Sequence, residues 1–234
     1  MEKSLRKNGR FIAFVACCLA AIAALTVVTF FNFRAPAKAA VPAQNLVVVL
    51  DAGHGGVDGG VVGESGVKES HLNLLMTKQI KKRLEARGAT VVLTRLDENG
   101  LYGDATKGFK LRDMKKRREI IRAASPDLVI SVHMNKFSDA NRRGPQVFFQ
   151  RGDKESKRFA DNIQTALNAF VGNDKHAALS GDFFICQCAP VPSVIVECGF
   201  LSNKEEERLL LNADYREQLS ESIVRGVFLY LYSK

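Results

Sequence analysis

Apolar positions along this chain change their spacing several times, and each change marks an element. Residues 46–50 form an unbroken apolar run, the pattern of a strand covered on both faces. Residues 68–87 place Leu72, Leu75, Met76, Ile80 and Leu84 on one stripe and stop at Gly88, which predicts a helix. A second strand follows at 89–94, then a Gly- and Asp-rich loop over 97–108 whose length suits a functional segment. The spacing next predicts a strongly basic helix over 109–124, a third strand over 128–132 running into His133, and a fourth over 146–150. A helix over 154–171 has Phe159, Ile163, Leu167 and Phe170 on its inner face. Two further strands are expected at 182–186 and 193–196, separated by Pro190 and Pro192, before helices at 205–211 and 215–231. This alternation predicts an α/β fold: one domain over residues 45–234, with a mostly parallel twisted sheet flanked by helices.

The segment before that domain has a different character. Residues 1–10 carry Lys3, Arg6, Lys7 and Arg10, and residues 11–31 are 21 positions without a charge, about the ~20 that a helix needs to cross a bilayer. The basic flank places the N-terminus in the cytoplasm and the body of the chain outside, so the domain is expected to be exported. Ala37-Lys38-Ala39 has the small-x-small form of a signal-peptidase site, which leaves residues 11–31 as either a removed signal peptide or a retained membrane anchor. Residues 32–44, with Pro36 and Pro42, read as a linker.

Composition adds modest constraints. The formal charge of +9 is concentrated at the N-terminus, and beyond residue 39 the chain carries 28 basic against 24 acidic residues. That balance suits an anionic polymer but does not point to nucleic acid. Of five cysteines, Cys17 and Cys18 fall in the apolar segment, and Cys186, Cys188 and Cys198 have neither zinc-ribbon nor disulfide-framework spacing. They read as small buried residues, with a bridge from Cys186 or Cys188 to Cys198 as the alternative.

Chemistry-bearing residues recur where α/β sheets form sites, at the carboxyl ends of strands. His54 lies just past the first strand, His133 ends the third, and Glu197 follows 193–196. Glu69 opens the first helix three residues before Leu72, so it extends the inward stripe; a carboxylate directed inward is costly unless paired or metal-bound. Two imidazoles and one carboxylate with an open fourth position make a hydrolytic zinc site, and a further carboxylate can move a proton from water to a leaving nitrogen. The residue types alone leave open which of Glu69 and Glu197 is the ligand.

The ordered motifs Asp51-Ala-Gly-His54-Gly-Gly-Val-Asp58-Gly-Gly, Glu69 at a helix start, Ser131-Val-His133-Met-Asn135 and Pro192-Ser-Val-Ile-Val-Glu197-Cys-Gly-Phe-Leu-Ser-Asn203-Lys-Glu-Glu206 resemble those of the zinc-dependent N-acetylmuramoyl-L-alanine amidases of the bacterial cell wall, the amidase 3 family, over about residues 45–232. The resemblance implies Zn2+ held by His54, Glu69 and His133, with Glu197 as the catalytic glutamate. It implies hydrolysis of the amide between N-acetylmuramic acid and the L-alanine of the stem peptide, with peptidoglycan as partner. Ala52 stands where family members often have proline, and Ser70 where they often have lysine; neither departure removes a ligand. Within the family the chain most resembles the sporulation amidases that prepare spore cortex, having one N-terminal hydrophobic segment, a bare catalytic domain and Gly144-Pro-Gln-Val-Phe-Phe. A vegetative-wall amidase, or a wall-binding protein that holds zinc without turnover, is the alternative. The stretch 172–181 is short for a plug over the site, so regulation is expected through another protein or through zinc supply.

Other residues carry blander readings. The glycines around His54 fail as a dinucleotide fingerprint, because Asp58 stands where the third glycine belongs and no helix opens at once. They read instead as clearance around His54 and for a bulky glycan. His71, two positions along the helix from Glu69, turns away from it, and His176 reads as surface. Within the basic helix, Arg118 falls in the Leu111, Met114, Ile121 stripe and is expected to pair inward. Asn135 is a candidate substrate contact or a turn residue, and Cys198 is expected to be structural.

Overall fold

The structure, a computed structural model, describes residues 45–104, 107–172 and 176–233. The basic N-terminus, the apolar segment 11–31 and the linker 32–44 lie outside the described residues. Among the described residues no helix is long and apolar enough to cross a membrane.

The elements are β1 (Val47–Ala52), α1 (Glu69–Glu85), β2 (Thr90–Leu93), α2 (Phe109–Ala123), β3 (Leu128–Asn135), β4 (Gln146–Gln150), α3 (Lys154–Val171), β5 (Leu179–Gly181), β6 (Ser193–Phe200), α4 (Lys204–Leu211) and α5 (Ala213–Tyr232). They build one six-stranded sheet in the order β2-β1-β3-β6-β4-β5. Every neighbouring pair is parallel except β4 with β6. The fold is therefore the α/β architecture with a mostly parallel sheet that the alternation predicts.

Alternating residues of the strands feed two apolar layers. Val48 and Leu50 pack with α1, α3 and α5 through Leu72, Met76, Ile80, Phe159, Ile163 and Ile223. Val49, between them, faces the opposite side and joins Val129, Ile195, Ile121 of α2 and Ile185. Both faces of β1 are buried, which is why its sequence shows no polar alternation. Two helices begin on an asparagine cap: Asn203 accepts from the amides of Glu205 and Glu206 ahead of α4, and Asn212 accepts from those of Asp214 and Tyr215 ahead of α5.

One element differs from expectation. The strand expected at 182–186 is instead the three-residue β5 at Leu179–Gly181, and Ile185–Gln187 forms a turn of 3-10 helix. Burial of Ile185, Cys186 and Cys188 is achieved all the same, because a short apolar run can be buried in either conformation. The Gln150 side chain secures the exit from β5, accepting the Phe183 amide at 3.1 Å. Cys186, Cys188 and Cys198 are buried free thiols, with burial pushing Cys186 up to about 12.

Candidate metal centre

The parallel pairing of β1, β3 and β6 puts the ends of these strands along one edge. His133 and Glu197 are register partners on neighbouring strands, and Ala52, the last residue of β1, pairs with Val132. Gly53 continues that ladder for one more bond, to the Val132 carbonyl, before the chain turns. His54 itself has φ +60, a left-handed conformation that returns its ring toward the sheet edge.

Glu69 stands between the two imidazoles. Its Oε1 lies 3.2 Å from His54 Nε2 and 2.9 Å from His133 Nδ1. The same carboxylate accepts from the amides of Val61 at 2.9 Å and Met134 at 3.2 Å. Burial opposes its ionisation, but the two histidines outweigh burial and hold the group well below the usual carboxylate range. His54 moves the other way: burial disfavours its charge, yet Glu69 and then Asp58, 3.1 Å from Nδ1, raise its pKa. The side chains of His54 and His133 are 26% and 22% exposed against 3% for Glu69, so both rings open to solvent over a buried carboxylate.

Two histidine nitrogens and one carboxylate oxygen thus lie within 4.8 Å of one another, a set that could hold a metal ion. Its chemistry suits zinc, which takes imidazole nitrogen and carboxylate oxygen together. Glu197 contributes the complementary feature. Its Oε2 is buried and has no hydrogen-bond partner, and burial, with Glu69 adding to it against the two histidines, pushes the carboxyl up to about 7. A cavity of about 690 Å3 is lined by His54, Glu69, His133, Glu197 and Asn135. Asn135 also serves its turn, its Oδ1 accepting the Lys136 amide at 2.8 Å.

Two glycines make room for these donors. A Cβ on Gly53 would stand 2.2 Å from His133 Cε1, and one on Gly60, at φ +67, 2.4 Å from Glu69 Oε2. The clearance expected of the loop therefore serves the neighbouring histidine and carboxylate side chains.

A buried layer beneath the site fixes its backbone. Arg117 donates to Asp51 Oδ1 at 2.6 Å, to the carbonyls of Ala52 at 2.7 Å and His54 at 2.6 Å, and to Asp113 Oδ2 at 2.5 Å. Arg95 donates to the carbonyls of Ala52, Gly53 and Ser70, so it ties the His54 loop to the helix start that carries Glu69. Asp51 accepts from Ser131, two residues before His133, and its carboxyl is lowered to about 2, Arg117 and these hydrogen bonds outweighing burial.

The inward pairing expected of Arg118 belongs to Arg117. The buried face of α2 is Asp113, Arg117 and Ile121, and Leu111 is exposed. Arg118 instead lies with its guanidinium 5.1 Å from the Phe184 ring centroid. The i, i+4 spacing of Asp113 and Arg117 was the available signal. His71 points away from the site and meets Glu98 at 2.8 Å. His176, expected at the surface, is half-buried, and its carbonyl accepts from Asn168 at 2.7 Å.

An α/β sheet whose edge joins two imidazoles and a carboxylate that could hold a metal ion, beside a second carboxylate with an unpartnered oxygen, has the donor set of a metal-assisted hydrolase. Residues 48–228 match the Amidase_3 family, N-acetylmuramoyl-L-alanine amidase, and the chain belongs to that family of enzymes. It is 30% identical over 197 residues to the germination-specific N-acetylmuramoyl-L-alanine amidase of Bacillus subtilis (strain 168), covering 82% of this chain and 83% of that protein. Among solved structures it is similar to the CwlD amidase from Clostridioides difficile in complex with the GerS lipoprotein, at 31% identity and a TM-score of 0.78, over 81% of this chain and 100% of that one. The catalytic domain of CwlV, an amidase from Bacillus (Paenibacillus) polymyxa var. colistinus, matches at 30% identity and a TM-score of 0.70, over 81% and 99%.

Proposed function

We propose that this chain is an exported zinc amidase of spore cortex peptidoglycan, with His54, Glu69 and His133 as metal ligands, Glu197 as the proton carrier and Asn135 as a substrate contact. The observation that carries the reading is the unpartnered, buried Oε2 of Glu197 in the same cavity as the three donors. Bound zinc would supply Lewis acidity to the scissile carbonyl and to the attacking water.

The protein's own groups do the rest. Glu69, ionised and already hydrogen-bonded to two backbone amides, would present a fixed carboxylate oxygen beside both imidazoles. Glu197, with no hydrogen bond on Oε2, is free to take a proton from water and return it to the alanine nitrogen as the amide breaks. The oxygen of water ends on the lactyl carbon and the proton on the amine. The cortex assignment and an auxiliary protein partner rest on likeness to the germination-specific relative and to CwlD with GerS. Export rests on the charge and hydropathy pattern of residues 1–31.

Metal analysis of the purified protein is expected to find about one zinc per chain. Incubation with peptidoglycan is expected to release new L-alanine amino termini, and a chelator to abolish that release. Full activity after metal removal would overturn the zinc assignment. Metal-loaded protein that binds peptidoglycan and frees no amino termini would overturn the enzymatic one.

A further inference from the structure

The cavity that contains Glu197 is one of two that meet at the candidate metal centre. A second, of about 390 Å3, shares His54, Asp58, Lys110 and His133 with it and then runs between α2 and the segment after β5. Glu197 and Asn135 line only the first; Phe183, Phe184 and Ile185 line only the second. The two imidazoles thus stand at the junction of a trough with two chemically different arms, and Glu69 lines the Glu197 arm only.

Resting on the amidase reading above, the position of Glu197 orients the substrate. A group that delivers a proton to the leaving nitrogen must stand within hydrogen-bond reach of it, about 2.6–3.2 Å, or one water away. The alanine nitrogen and the peptide behind it therefore occupy the Glu197 arm. A secondary amide is trans, so its acyl substituent leaves the carbonyl in the opposite direction. The other cavity that opens from His54 and His133 is the second arm.

The second arm has the lining a pyranose requires. Phe184 is 42% exposed at its wall, and Arg118 lies 5.1 Å from its ring centroid, which limits the ring's freedom. Phe183 stands edge-on to Phe148 with centroids 5.6 Å apart. The exposed carboxylate of Asp182, which accepts from Gln150 at 3.0 Å, lies beside them. An aromatic face carries negative potential that attracts the C–H face of a sugar, and a carboxylate accepts from its hydroxyls; apolar walls with a few polar groups are the usual make-up of such a site.

We propose that the arm walled by Phe183 and Phe184, with Asp182 at its edge, is the subsite for the N-acetylmuramoyl sugar, and that the stem peptide lies in the Glu197 arm. The test compares two substrates of the metal-loaded protein: N-acetylmuramoyl-L-alanyl-D-isoglutamine, and D-lactoyl-L-alanyl-D-isoglutamine, which lacks the sugar. Phe184→Ala is expected to lower kcat/KM about tenfold for the first and to leave the second within about twofold, while Phe184→Tyr keeps both. Calorimetric binding of N-acetylmuramic acid is expected to weaken about tenfold in Phe184→Ala and to be unchanged in Val62→Ala, a change in the other arm. Equal losses on the two substrates, an unchanged ratio, or a sugar-binding loss confined to Val62→Ala would overturn the subsite. Wild-type protein that cleaves neither substrate would sink the amidase reading instead, and the binding measurement would still decide the subsite.

Discussion

Arg117 donates from Nη2 to the carbonyl oxygen of His54 at 2.6 Å, so a helix 63 residues further along the chain holds the backbone of a candidate metal ligand. Nη1 of the same guanidinium meets Asp51 Oδ1, also at 2.6 Å, with both side chains 2% exposed. Arg117 thereby gives the His54 carbonyl a donor at the left-handed turn while its own charge is paired with Asp51.

Replacing Arg117 by methionine would leave Asp51 charged, buried and short of its ion partner. Removal of one member of a buried pair costs about 3–5 kcal/mol. Arg117→Met is expected to lower the denaturant midpoint of the metal-free protein accordingly. Arg117→Lys should fall between, because an ammonium cannot present a planar fork to four acceptors. A midpoint for Arg117→Met equal to wild type would show that the layer beneath the site contributes nothing to stability.

Gly53 offers a narrower perturbation. The Cβ of Gly53→Ala would sit 2.2 Å from His133 Cε1, so the ring must move. Overpacking of this kind costs about 1–3 kcal/mol, which the fold can absorb. Zinc affinity, measured by competition with a chromophoric chelator, is expected to fall by about 10–100-fold, as when a supporting contact to a ligand is lost. Unchanged affinity would remove His133 from the ligand set.

Glu197→Gln keeps the shape of the side chain and removes its basicity. Turnover is expected to fall by about 10²–10⁴-fold with metal content unchanged. The pH dependence follows from burial. Desolvation raises the Glu197 carboxyl from 4.5 to about 7, and a cation bound by the neighbouring ligands favours the ionised form and draws it back down. Only the ionised form accepts a proton, so kcat should fall as pH drops through a limb between about 4.5 and 7. A pH profile flat across that interval would take the proton-carrying role away from Glu197.

Much of this fold was legible because the relevant signals are local. The unbroken apolar run at β1 announced a strand buried on both faces, and the stripe from Leu72 to Leu84 announced α1. Strand ends in a parallel sheet share an edge, so the neighbourhood of His54, His133 and Glu197 followed from chain order alone. The segment 179–187 was misplaced, since an apolar run at a sheet edge is buried equally well by a short strand and a 3-10 turn.

The sequence by itself determined the donor types, the strand ends that carry them and the inward position of Glu69, all readable from a period of 2 or 3.6 residues. Tertiary structure alone decided that Glu69 bridges both imidazoles, that Glu197 keeps an oxygen without a partner, and that Arg117 rather than Arg118 turns inward. The reason is physical. A buried charge takes whichever rotation of its helix brings it to an opposite charge, and Asp51 lies 66 residues from Arg117, beyond anything a local pattern encodes.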